Sequence, residues 1–207
     1  MQKLESMVRE SYSARDTELP FHGWHHIAFV LSKAIQFAEE RSADAVLVGC
    51  AALVHDLNYM VRKNSDPSEA ASMRQSYLRQ SGFRDAEIAR IEEIITEAHT
   101  ACRGASISRE GSALSDADTL FKALPVTPVV FSHRYLDENG ISLRMLAKKI
   151  IEEQLPLLEN GIYFYDDAVR AKYLPWAEAN LQLWLQILAA LNDPDVTNLL
   201  RASGVED

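Results

Sequence analysis

Apolar positions along this chain follow the period of a helix almost throughout. From Ile27 onward, Val30, Leu31, Ala34, Phe37 and Ala38 recur at three- and four-residue steps, which predicts an amphipathic helix opening near His26. Residues 44–57, DAVLVGCAALVHDL, are apolar on nearly every side and predict a central helix. DPSE at 66–69 reads as a helix start, with Asp66 as N-cap, Pro67 in the first turn and Glu69 closing a capping box; Gly82 suits that helix's end. Asp85 caps the next helix, whose stripe is Ile88, Ile91, Ile94, Ile95 and Ala98. A polar loop, CRGASISREGS, precedes a short helix near SDADTLFKAL, and Pro125 and Pro128 punctuate the junction after it. Two more amphipathic helices follow, in ISLRMLAKKIIEEQLPLLEN and ANLQLWLQILAALND. Between them GIYFYDDA is the only segment that reads as a possible strand. The expected fold is all-α, a single domain over residues 1–207 with about eight helices of ordinary length.

Composition narrows the function classes. The 207 residues are 47% hydrophobic and 25% charged, ordinary for a globular chain with a substantial core. No apolar run is long enough to span a bilayer, and the charged start MQKLESMVRE lacks the apolar segment of a signal peptide, so the expected location is cytoplasmic and off the membrane. The net charge of −9, with no densely basic stretch, argues against a nucleic-acid polymer as partner. A small phosphate compound stays compatible, because a bound divalent cation reverses the local field. Cys50 and Cys102 form neither a metal-finger spacing nor a disulfide framework, and Cys50 lies in an apolar run as a small core residue would.

The chemistry-bearing residues stand out against this apolar background. His55 and Asp56 end the most hydrophobic helix, where a charged carboxylate costs several kcal/mol unless a cation or dense hydrogen bonding compensates it. Imidazole beside carboxylate is an ordinary ligand mixture for borderline divalent metals. FHGWHHI at 21–27 holds three of the six histidines; His22 and His26, four apart, share a helix face, while His25 points elsewhere. Asp116 and Asp118 add carboxylates, Asp116 also reading as an N-cap neighbour favoured by the helix dipole. His99 lies on the rail of Ile91 and Ile95 and is expected to face inward. Lys122, four residues after Asp118, suits an ion pair or a phosphate contact. Lys63, Arg62 and Arg103 read either as phosphate contacts or as solvated surface charges, and His133 as structural.

The series FHGWHHI, LVHDLNY and LSDADTLFKAL resembles the HD-domain superfamily of metal-dependent phosphohydrolases, whose signature is H…HD…D on a helical core. The resemblance covers about residues 20–125, the metal-binding core, with the helices of 126–207 expected to pack on it. It implies His26, His55, Asp56 and Asp118 as ligands of a divalent ion (Mn, Fe, Co, Ni, Zn or Mg), one or two per chain. It implies a general acid at His22, matching an aromatic-histidine pair in the cyclic-nucleotide phosphodiesterase branch, with Phe21 in place of the usual tyrosine. Trp24 either walls the site or packs. EAHTACRG resembles a segment of two-metal relatives and makes His99 a possible second-metal ligand, with Asp56 as bridge. The implied activity is hydrolysis of a phosphate ester or anhydride of a small nucleotide-like substrate, with Asp56 holding the attacking water and Lys122 and Lys63 as substrate contacts. Tyr59 and Asn64 stand near the slots where five-prime deoxynucleotidases of the superfamily carry acidic residues. Two other readings stay open, a di-iron oxygenase on the same fold and a non-catalytic metal-stabilised sensor domain, as does homo-oligomerisation.

Overall fold

The computed structural model describes residues 1–63 and 65–204, so the Asn64 slot lies outside the described residues. All regular structure among them is helical: α1 (Gln2–Ser13), α2 (Trp24–Glu40), α3 (Ala45–Val54), α4 (Asn58–Val61), α5 (Ala71–Gln80), α6 (Asp85–Ala98), α7 (Arg109–Ala123), α8 (Thr127–Val130), α9 (Ser132–Asn139), α10 (Leu143–Glu159), α11 (Asp167–Leu191) and α12 (Pro194–Ala202). Two 3-10 turns, Pro67–Ala70 and Thr100–Cys102, complete the set. None of these helices is long and apolar enough to cross a membrane. The chain divides into two compact units, Met1–Phe121 and Lys122–Asp207, each with a core of its own.

In the first unit α3 is central, as its all-round apolarity predicts: Val48, Cys50, Ala51, Ala52, Leu53 and Val54 are fully buried. It packs on α2 and α6, with α1 against α3 and α5. Gly49 lets α2 come close, since a Cβ there would stand 3.2 Å from the Ile35 side chain. Ile27, Val30, Leu31, Ala34, Phe37 and Ala38 form the buried face of α2, as the spacing predicts. Burying each Val-, Leu- or Ile-sized side chain contributes roughly 1.5–3 kcal/mol, which is what fixes the face α2 turns inward. In the second unit α10 and α11 pack around Leu146, Ala147 and Trp184.

Several boundaries depart from the sequence expectation, each for a local reason. The helices outnumber the expected eight because short and polar ones were hidden. The charges of α1 mask Leu4, Val8 and Tyr12, a four-residue rail that is at most 1% exposed. The supposed loop before SDADTL is already helix: Ser108 Oγ accepts from Gly111 N–H at 3.0 Å and starts α7 there. The DPSE capping box forms, but around a 3-10 turn that leads into α5. Asp85 stands in the first turn of α6 and not at its cap; Arg84 is the cap, its N–H donating to Glu87 at 2.9 Å. GIYFYDDA forms no strand. Tyr163 and Phe164 are buried, and Asp166 accepts from Ala168 N–H and Val169 N–H to start α11.

Candidate metal centre

The site is assembled from one end each of α2 and α3 and from the middle of α7. At the entry to α2 the chain turns through Gly23, where a Cβ would stand only 2.9 Å from the Leu19 carbonyl oxygen. A side chain has no room there, and the tight entry tucks Phe21 and His22 into the interior. His26 follows in the first turn of α2, its side chain 2% exposed.

α3 stops at Val54, one residue before the His-Asp pair, and not beyond it as the apolar run suggests. The backbone tightens there: Leu57 N–H donates to Val54, Tyr59 N–H to Asp56 and Met60 N–H to Leu57, all three-residue spans. His55 Nδ1 lies 2.8 Å from the Ala52 carbonyl, which can only accept, so this nitrogen carries the proton. That leaves Nε2 of His55 facing the cluster, where it carries the second proton of an imidazolium or, once that proton is lost, offers a lone pair. No described residue bonds His26 Nδ1, so its tautomer is not set in the same way.

Four side chains meet. His26 Nε2 lies 3.1 Å from Asp56 Oδ2 and 3.5 Å from Asp118 Oδ1. His55 Nε2 lies 3.3 Å from Asp56 Oδ2 and 3.9 Å from Asp118 Oδ1. Ligand atoms of His26, His55 and Asp118 all fall within 4.8 Å of one another. Both Nε2 atoms are buried and make no aligned hydrogen bond despite these short separations. A cation held at about 2.0–2.2 Å from each ligand sets the ligands roughly 3.0–3.5 Å apart, and three of these separations, 3.1, 3.3 and 3.5 Å, match that spacing. The cluster can therefore hold a metal ion.

The charges are tightly balanced. Burial drives the His26 pKa down by disfavouring the imidazolium, against the pull of Asp56 and Asp118. Burial also opposes charge on His55, but the Asp56 and Asp118 carboxylates outweigh it and raise its pKa to about 9. Burial would raise Asp56; the His55 charge and the contacts of both imidazoles hold it well below the usual carboxylate range.

An aromatic group flanks the histidines. Phe121 meets His26 edge-on at 4.6 Å and Phe21 at 5.7 Å. His22, buried, stacks on Tyr59 with ring centroids 3.8 Å apart and an interplanar angle of 18°, and its ring lies 6.0 Å from that of His26. Tyr59 as a stacking partner carried no sequence signal beyond its place four residues after His55.

Other expected residues fall elsewhere. His99 does not face inward: α6 ends at Ala98, the backbone turns extended at His99, and the exposed ring accepts from Ala101 N–H at 3.3 Å. The Ile91–Ile95 rail held only while the helix continued. Asp116 is not near a helix start, since α7 begins at Arg109; its carboxylate is fully buried between Arg41 and Arg103. Arg103, a possible surface charge by sequence, is thus interior, with its side chain 4% exposed. Lys63, Lys122 and His133 are exposed, and Arg62 pairs with Glu69 at the surface. Trp24 packs under the Arg9 guanidinium at 5.6 Å. Cys50 is fully buried, which raises its pKa to about 11 and suits a core residue.

No family model matches the chain, and no curated protein does. Solved structures do match. A Lactobacillus plantarum protein solved as a structural-genomics target is 19% identical, with a TM-score of 0.66, over 91% of this chain and 97% of that one. Bacillus subtilis YpgQ in complex with ADP is 24% identical, with a TM-score of 0.59, over 93% of this chain and 99% of that one. At these identities the likeness establishes a shared helical fold.

Proposed function

We propose that the chain is a metal-dependent phosphohydrolase of the HD-domain type, acting on a small nucleotide-like phosphate ester or anhydride. The observation that carries this reading is the convergence of His26 Nε2, His55 Nε2 and Asp118 Oδ1, with both nitrogens buried and outside any aligned hydrogen bond. The H…HD…D order of the ligands supports the same reading. So does the ADP held by YpgQ, a protein of similar fold.

His26, His55, Asp56 and Asp118 would hold the ion. When bound, a divalent cation supplies Lewis acidity toward a phosphoryl oxygen and lowers the pKa of water toward neutrality. Asp56, with 18% of its side chain exposed, accepts a hydrogen bond from the attacking water and aligns it. His22 gives a ring-nitrogen proton to the departing oxygen; its stack on Tyr59 keeps the ring plane fixed for that transfer. The oxygenase reading needs a further ligand such as His99, whose ring is exposed at the end of α6, so no observation favours it.

The test is turnover by metal-loaded protein against phosphomonoesters, cyclic nucleotides, nucleoside diphosphates and dinucleoside polyphosphates. Hydrolysis of at least one class, lost with Asp56→Ala, is expected. Metal bound stoichiometrically without turnover of any class contradicts the proposal and favours a sensor domain.

A further inference from the structure

Behind the ligands lies a second charged cluster that the hydrolytic reading does not use. Asp116, with no exposed side-chain surface, meets Arg41 Nη2 at 2.6 Å and Arg103 Nη1 at 3.5 Å. Both guanidiniums are more than nine-tenths buried. Their remaining bonds fall on the same helix. Arg41 Nη1 donates to Ser112 Oγ at 3.0 Å, and Arg103 Nη2 donates to the Ser115 carbonyl at 3.2 Å and to Thr119 Oγ1. Ser115 Oγ in turn donates to the Ala98 carbonyl at the end of α6, at 3.2 Å. Four residues over about two turns of α7, namely Ser112, Ser115, Asp116 and Thr119, are thus held by two arginines and the end of α6, in the stretch that carries Asp118.

Geometry connects this grip to the metal centre. At 100° per residue, Asp116 and Asp118 project from α7 about 200° apart, so one faces the arginines when the other faces the imidazoles. Turning or sliding α7 enough to disturb Asp118 would tear Asp116 from its partners. We infer that Asp116, Arg41 and Arg103 are positioning residues that set the rotation of α7 and so the aim of Asp118 at the metal. They touch neither the ion nor the substrate; they act through the helix that carries a ligand. This inference rests on the metal reading above.

The test titrates metal-free protein with Co²⁺ alone, read by its d–d absorption and by competition with a chromophoric chelator. Asp116→Asn removes the charge both arginines grip. Arg103→Lys keeps the charge but loses the planar fork that reaches Ser115 and Thr119 together. Arg74→Lys is the control: Arg74 is an equally buried arginine of the same unit, bonded to Glu92 and the Pro67 carbonyl with no bond to α7. Both α7 variants are expected to bind Co²⁺ about 10- to 100-fold more weakly, the range for groups that orient metal ligands, with altered d–d bands. Arg74→Lys should bind as the parent does, even where it melts lower. Unchanged Co²⁺ affinity in Arg103→Lys and Asp116→Asn overturns the inference, and so does an equal loss in Arg74→Lys, which would mark general loosening. Should Asp116→Asn fail to fold, Arg103→Lys decides alone. A parent protein that binds no Co²⁺ overturns the metal reading itself, a result distinct from the others.

Discussion

Asp116 and Asp118 stand two residues apart on α7 and are both surrounded by groups that stabilise negative charge, yet the two surroundings are unlike. Around Asp116 the positive charge is built into the chain: two guanidiniums, permanently protonated, leave it sealed from solvent. Around Asp118 stand two imidazoles and a second carboxylate, and its side chain keeps 21% of its surface exposed. Here the counter-charge is exchangeable, a proton on His55 or a cation in its place, because an imidazole that gives up its proton offers a lone pair. Where charge is supplied covalently the structure is a rivet; where it is not, it is a socket. The contrast depends on which side chains line each face of one helix, and it yields different outcomes for equivalent mutations.

The largest effect is expected at the centre of the socket. Asp56→Ala removes the carboxylate that meets both imidazoles, and metal analysis of the purified variant should find the ion gone. Retained metal would erase the contrast. Next, His22→Ala should keep the ion and lower kcat by about 10²- to 10⁴-fold, the range for a general acid. The loss should be greatest with poor leaving groups, which depend most on the proton; an equal loss for activated aryl phosphates would reduce His22 to packing on Tyr59.

The contrast itself is sharpest in the metal-free protein. Asp116→Ala strands two buried guanidiniums and should cost about 3–5 kcal/mol in urea unfolding. Asp118→Ala, at a partly exposed site 3.5 and 3.9 Å from the two imidazoles, should cost no more than about 1 kcal/mol under the same conditions. Equal losses would mean that both aspartates are structural. Smallest of all, Arg62→Ala breaks only a surface pair with Glu69 and should change stability by less than about 1 kcal/mol.

The residues of the candidate cluster were legible in the sequence, whereas the arginines that hold α7 beside it were not. His26, His55, Asp56 and Asp118 are polar residues set into apolar helices, and that local oddity is visible without a fold. The core faces of α2 and α3 were legible for the same reason. Arg41, by contrast, meets Asp116 from 75 positions away, and nothing local marks it as buried. His99 was misplaced because periodicity says which face a residue takes only while the helix lasts, and α6 ends one residue earlier. Asp116 was misplaced because the start of α7 depends on Ser108, a cap inside a run that reads as loop. Helix α1 escaped because charged residues separate its three buried positions, and the nine-residue α12 because it buries none of its residues.

The most direct test is anomalous diffraction from crystals of the protein grown with Co²⁺. The expected result is one strong peak about 2.0–2.2 Å from His26 Nε2, His55 Nε2 and Asp118 Oδ1, with Asp116 still closed between Arg41 and Arg103. A map with no peak among these atoms, and the imidazoles instead hydrogen-bonded to Asp56 and Asp118, would contradict it.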